Sequence, residues 1–268
     1  MQLYNHLSIL TARPCHQERH PYAHIPYVLD GVLSKNEKAS AGWWVKEAAA
    51  KVQDCWATGY LPLIVGGTGL YIKSLIEGIS PIPDIPKEIR EHTRNLRDIP
   101  LDILKDHLAL KFPEREIYND PQRLLRAYEV YLASGKTVDH FQKMKKPLID
   151  CRFITIALMP DRKKLYEKIN KRFETMMKNG AIDEVKALLQ QSIDPDHPIL
   201  KATGVGAITG YLNNSHSSND AVTAGQQHTR HYAKRQLTWI RNQLTIDLVL
   251  DSYDLSLEEQ IEQIMAIL

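Results

Sequence analysis

Apolar residues recur at helical spacing through residues 40–59. Trp43, Trp44, Val45, Ala48, Val52, Cys55 and Trp56 carry the pattern, and Thr58-Gly59 supplies the stop. The pattern then changes. Leu61-Pro62-Leu63-Ile64-Val65 is a short continuous apolar run of the kind a buried parallel strand shows. It breaks into Gly66-Gly67-Thr68-Gly69 and restarts at helical period over 70–77, so strand, glycine loop and helix follow one another as half of an α/β unit. Pro81, Pro83 and Pro86 then interrupt any helix and mark a link between subdomains. Residues 87–118 are charged and amphipathic and predict short helices. Asp120-Pro121 starts another, with Asp as N-cap and Pro in the first turn, running to about Ser134. Further along, strands are expected over 152–158 and 246–250, and helices over 161–178, 182–190, 221–242 and 255–268. The alternation predicts an α/β fold with a mostly parallel sheet. Its core is expected over 1–82 and 151–268, with a mostly helical insertion at about 83–150.

Composition narrows the class. With 43% apolar and 25% charged residues, the 268-residue chain can bury a core as one or two globular domains. Lys and Arg total 34 against 32 Asp and Glu, a formal charge of +2 that excludes a uniformly basic nucleic-acid coat but not a local basic face. Cys15, Cys55 and Cys151 are odd in number and far apart. That argues against a disulfide scaffold or a zinc ribbon and fits a reducing compartment. No apolar run approaches a membrane span and the first residues are too polar for a signal peptide, so a cytoplasmic protein without a membrane partner is expected.

Three stretches carry candidate chemistry. Gly66-Gly67-Thr68-Gly69 would let backbone approach an anion at a helix N-terminus, with Thr68 adding a hydroxyl donor; a tight turn accounts for the same residues. Gln122, Arg123 and Arg126 share one side of their helix, opposite Leu124, Leu125 and Tyr128. Arginine forks there suit phosphates or base edges, and a solvated face is the bland alternative. Between Ala221 and Ile246 there is no Asp or Glu, while Arg230, Lys234 and Arg241 lie close together on the wheel with His228, His231 and Arg235 in the same segment. A merely soluble surface helix usually intersperses acids, so this one favours a phosphate rail for nucleic acid. Ser134-Gly135-Lys136-Thr137 ends like a phosphate-binding loop but has Val130 where the first glycine should stand, and it follows a helix. It predicts a helix stop. No HExxH, GxSxG or paired Cys/His spacing occurs.

Taken in order, these segments resemble the tRNA dimethylallyltransferases. Met1-Gln2-Leu3-Tyr4 is similar to the tail of the family's Asp-Ser-x-Gln-x-Tyr motif, and Thr11-Ala12-Arg13-Pro14 to its Thr-Ala-Lys-Pro. The run from Pro62 through Tyr71, the run from Asn119 through Ala127 and the run from Tyr232 through Arg241 complete the set. Lys201-Ala202-Thr203-Gly204-Val205-Gly206 matches a weaker element before the last. The resemblance implies a fold like that of nucleotide kinases. It also implies transfer of a dimethylallyl group from its diphosphate to N6 of the adenosine 3′ to the anticodon, position 37 of tRNA, with Mg²⁺ assisting. By the same resemblance Thr68 and Arg126 are catalytic candidates, and Gly66, Gly67 and Gly69 form the diphosphate loop. Met1, Gln2, Gln122, Arg123, Lys201, Lys234, Arg235, Gln236 and Arg241 contact tRNA, joined by Arg230 from the wheel. Trp239 is expected to be structural. The expected partners are a tRNA anticodon stem-loop and dimethylallyl diphosphate, acting on a monomer.

The family pattern also includes a first strand, a phosphate-binding loop with Lys and Ser/Thr, and a general-base Asp before the position of Met1. None stands in these 268 residues, and no metal ligand is assigned in them. The expectation is therefore an incomplete sheet, with Met1 an internal methionine of a longer frame. These residues by themselves would not turn over substrate. A tRNA-binding chain without catalysis is the second hypothesis, and a small-molecule nucleotide kinase, which leaves the acid-free basic helix unaccounted for, is the third.

Overall fold

The structure is a computed structural model that describes residues 2–14, 24–112, 117–251 and 254–268. In chain order its elements are α1 (Ala41–Ala57), α2 (Gly69–Glu77), α3 (Lys87–Arg94), α4 (Leu101–His107), α5 (Pro121–Ser134), α6 (Val138–Gln142) and β1 (Ile156–Leu158). There follow α7 (Arg162–Lys178), α8 (Ala181–Leu189), a 3₁₀ turn (Pro198–Lys201), α9 (Val205–Leu212), α10 (Ser218–Gln243), β2 (Leu248–Leu250) and α11 (Leu257–Met265). Two units are formed, one from Met1–Lys73 with Ile149–Leu268 and one from Ser74–Leu148. No described helix is long and apolar enough to cross a membrane.

Helix ends follow local chemistry. The Ser40 hydroxyl accepts the Trp43 N–H at 3.1 Å to start α1, and Thr58 closes it before Gly59. Asp120 accepts the Arg123 N–H at 2.8 Å, Pro121 opens the first turn, and Gly135 at φ 66° ends α5 in the left-handed conformation that a side chain would disfavour. Gly135-Lys136-Thr137 is thus a helix stop, as the sequence predicts. A capping box starts α10: the Ser217 hydroxyl and backbone N–H both donate to the Asp220 carboxylate, which holds that carboxyl below its ordinary pKa.

The first unit is α/β. β1 and β2 pair in parallel with Ile156 opposite Leu248 and Leu158 opposite Leu250, a crossover that contains α7 through α10. Both strands are shorter than expected: 152–155 and 246–247 lie outside the ladder, and Thr155 ends it by hydrogen-bonding Asp247 through backbone and carboxylate. The expected strand at 61–65 does not form. Leu61, Leu63 and Val65 are 73%, 79% and 90% exposed, and the segment is extended without a ladder partner among the described residues. A strand exists only through its neighbours' hydrogen bonds, and Pro62 can donate none. Below the helices lies a core of Tyr4, Leu7, Leu33, Phe173, Val185 and Ile208. α7 and α10 approach closely because Gly225 on α10 has no Cβ to strike the Phe173 ring.

In the second unit, α5 buries Leu124, Leu125 and Tyr128, and the Phe112 ring sits among Tyr118, Tyr128 and Tyr131 at 6.1, 5.9 and 5.4 Å between centroids. The entering and leaving chain segments are tied together by the antiparallel bridge Ile79–Lys146 and by an ion pair of Lys145 with Glu77 at 2.8 Å.

Candidate functional site

The glycine loop lies against α10 instead of rising from a strand. Gln236 Nε2 donates to the Gly67 carbonyl at 2.9 Å. A Cβ at Gly67 would strike the Gln236 amide and one at Gly69 would strike the Trp239 indole, so glycine at these positions permits the close approach. The Thr68 carbonyl accepts from the Tyr71 and Ile72 N–H groups at 2.9 and 3.3 Å, which starts α2 and leaves the Thr68 side chain exposed. Tyr71 packs on Trp44 with ring centroids 5.3 Å apart, and burial, with a smaller contribution from Tyr4, pushes its phenol pKa up. Gln236 and Trp239 therefore fix the loop.

One face of α10 carries His231, Lys234, Arg235, Thr238 and Asn242, at spacings of three, four, seven and eleven residues. A cavity of about 330 Å³ is lined by Lys201, Thr203, Gly204, His228, His231 and Arg235. A second of about 540 Å³ is lined by His231, Lys234, Arg235, Trp239 and Asn242, among others. The two share His231 and Arg235, so Lys201, Lys234 and Arg235 line neighbouring concavities whose described linings include no carboxylate. The first turn of α9 opens on the smaller one through Gly204 and Gly206, adding the positive end of a helix dipole. Arg241 is exposed but lines neither cavity. Arg230 is turned toward α7, where its Nη1 donates to Asn170 Oδ1 at 2.6 Å. His228 and His231 were absent from the expected contacts, although their spacing from Lys234 and Arg235 on the wheel was available to place them.

Gln2 belongs to a tightly wound segment. Its Nε2 donates to the Thr11 and Ala12 carbonyls at 3.1 Å each, and the Oε1 of this exposed amide accepts no hydrogen bond from the described residues. Leu7 and Ala12 have φ of 57° and 52°, a conformation that costs about 1 kcal/mol or more per non-glycine residue. Glu184 on α8 offsets that cost: its carboxylate accepts the Ser8 hydroxyl at 2.9 Å and the Ile9 and Leu10 N–H groups at 3.0 Å each. Glu184→Ala is expected to lower stability by about 2 kcal/mol, because two backbone donors lose a charged acceptor. Equilibrium urea unfolding checks this, and a change under about 0.5 kcal/mol would contradict it. Met1 lies outside the described residues.

In the other unit, Gln122, Arg123 and Arg126 are exposed together on α5, on the side opposite its buried face. Arg126 Nη1 donates to Glu129 Oε2 at 3.0 Å.

Among the described residues no three His, Cys, Asp or Glu side chains converge to hold a metal ion.

The family model for IPP transferase matches residues 2–243. A relative named tRNA dimethylallyltransferase from Rickettsia felis is 39% identical, over all of this chain and 87% of its own. Another of that name from Rhizobium meliloti is 40% identical over 91% of this chain and 82% of its own. Among solved structures, a eukaryotic dimethylallyltransferase acting on tRNA superposes with a TM-score of 0.79 at 25% identity, covering 100% of this chain and 69% of that one. A tRNA isopentenylpyrophosphate transferase from Bacillus halodurans gives 0.70 at 26%, covering 99% and 84%.

Proposed function

The chain belongs to the IPP transferase family, whose matched members are tRNA dimethylallyltransferases, and from that premise we propose that it serves transfer of a dimethylallyl group to N6 of adenosine 37 in tRNA. The N6–carbon bond forms as the carbon–oxygen bond to diphosphate breaks, and the amine's proton is released to solvent with the diphosphate. An amine conjugated to a purine is a weak nucleophile, so such a reaction depends on alignment and on neutralising the leaving group. The Thr68 hydroxyl, exposed in the fixed glycine loop, donates to the departing diphosphate. Lys201 and the first turn of α9 add positive potential beside it. Lys234, Arg235 and Arg241 follow RNA phosphates, while the Oε1 edge of Gln2 accepts from the adenine amine once that base has left its stack. On the other unit, Gln122, Arg123 and Arg126 contact the anticodon loop.

The observation that carries this reading is the Gln236–Gly67 hydrogen bond, because it sets the loop bearing Thr68 beside the cationic stretch of α10, which has no acid after Asp220. Nucleoside mass spectrometry of tRNA tests it. Deleting the gene should abolish N6-dimethylallyladenosine, and restoring the intact gene should return it. A gene carrying Thr68→Ala should return less than about a tenth. Full modification in the deletion strain would refute the function, and full restoration by the Thr68→Ala gene would refute the role of Thr68.

A further inference from the structure

Arg126 is braced from behind. Its Nη1 donates to Glu129 Oε2 at 3.0 Å, and the other carboxylate oxygen of Glu129 accepts the Thr93 hydroxyl at 2.8 Å. Thr93 stands on α3 and is 1% exposed. Its single hydroxyl proton also lies within reach of the Ile89 and Arg90 carbonyls, at 3.1 and 3.2 Å, but the ionised carboxylate is the nearer and stronger acceptor. The chain of contacts therefore runs from a buried hydroxyl on α3, through a carboxylate on α5, to a guanidinium one turn away on the same helix.

This differs from an ordinary surface ion pair. In Lys51–Asp54 the side chains are 43% and 66% exposed, and in Lys143–Asp139 they are 77% and 61% exposed. Both partners there keep their freedom in water. In Arg126–Glu129 the arginine is 49% exposed while the glutamate is only 16% exposed and tethered at its second oxygen. A sunken, doubly bonded carboxylate fixes the direction of the guanidinium. The edge formed by Nε and Nη2 has no hydrogen-bond partner among the described residues, and Arg126 stands on the exposed helix side that carries Gln122 and Arg123. A planar fork already aimed loses less freedom when it closes on a phosphate or a base edge.

We propose that Glu129, locked by Thr93, is a positioning residue that aims Arg126 at the RNA. This rests on the reading of Arg126 as an RNA contact. Two physical consequences separate it from simple electrostatics. Glu129→Gln removes a negative charge near a polyanion, so charge alone would tighten binding, whereas loss of aim weakens it. Thr93→Val changes no charge at all and nearly preserves shape.

The experiment measures the dissociation constant of the protein for an anticodon stem-loop RNA, with thermal midpoints to confirm folding. Thr93→Val and Glu129→Gln should each weaken binding about three- to tenfold, Thr93→Ser should retain affinity, and neither loss should recur in an Arg126→Ala background. Relaxation of the ¹⁵N-labelled Arg126 Nε–H should show a restrained side chain that Thr93→Val releases, a readout independent of RNA. Equal or tighter binding by Glu129→Gln, losses that add to that of Arg126→Ala, or an Arg126 side chain equally mobile before and after Thr93→Val would overturn the proposal. If Arg126→Ala alone leaves affinity unchanged, the assignment of Arg126 itself fails first, and the brace with it.

Discussion

Replacing Lys234, Arg235 and Arg241 together by glutamate should weaken binding of an anticodon stem-loop RNA by about a hundredfold or more near 0.1 M salt. These side chains are exposed on a helix that carries no acid after its capping turn. Each phosphate contact releases a counterion, and its removal should lower the slope of log affinity against log salt by roughly 0.7 to 0.9. The triple variant should therefore lose about two units of slope, whereas Lys51→Glu, which disrupts an exposed pair with Asp54, should change affinity by less than about twofold. Filter binding across a salt series checks both quantities. An unchanged slope would show that this face does not touch phosphates.

The second large effect concerns the seat of that helix. Phe173 is 3% exposed, belongs to the main core, and its ring packs against Gly225 of α10 with no room for a Cβ there. Phe173→Ala should cost about 3–5 kcal/mol through lost burial plus the cavity left behind. In a chain of this size the thermal midpoint should fall by on the order of 10 °C. Gly225→Val approaches the same interface from the other side: its added carbons have no room against the ring, and overpacking should cost about 1–3 kcal/mol. Calorimetry on both variants measures these losses. A Phe173→Ala midpoint within about 2 °C of the parent would mean that the ring is not what supports α10.

What could be read from the sequence was local. α1, α5 and α10 carry their own punctuation in Ser40, in Asp120-Pro121 with Gly135, and in Ser217 with Asp220, and each begins or ends where those residues dictate. The glycine loop and the acid-free helix were equally visible, because each is a contiguous composition signal. Where the expectation failed, the deciding partner was distant. An apolar run at 61–65 promises a strand only if neighbours offer a ladder, and the described residues offer none there. α9 went unforeseen because Val-Gly-Ala-Ile-Thr-Gly-Tyr-Leu has two glycines and a poor helical pattern; burial of Val205, Ala207 and Ile208 holds it instead. Arg230 and Lys234 look equivalent on a wheel, yet Asn170, 60 residues away, turns Arg230 toward α7. Glu184 and Glu129 could not be found at all from sequence, since their roles depend on Ser8 and Thr93, which lie 176 and 36 residues away.

The bridge between Ile79 and Lys146, with the Lys145–Glu77 pair beside it, has an evolutionary corollary. The segment between them leaves and rejoins the chain at a doorway it latches itself, so closing that loop asks little of the rest of the molecule. Residues 74–148 thus behave as a cassette that natural variation can lengthen, trim or exchange. A lineage could recombine this piece without redesigning the unit in which the glycine loop meets the cationic helix.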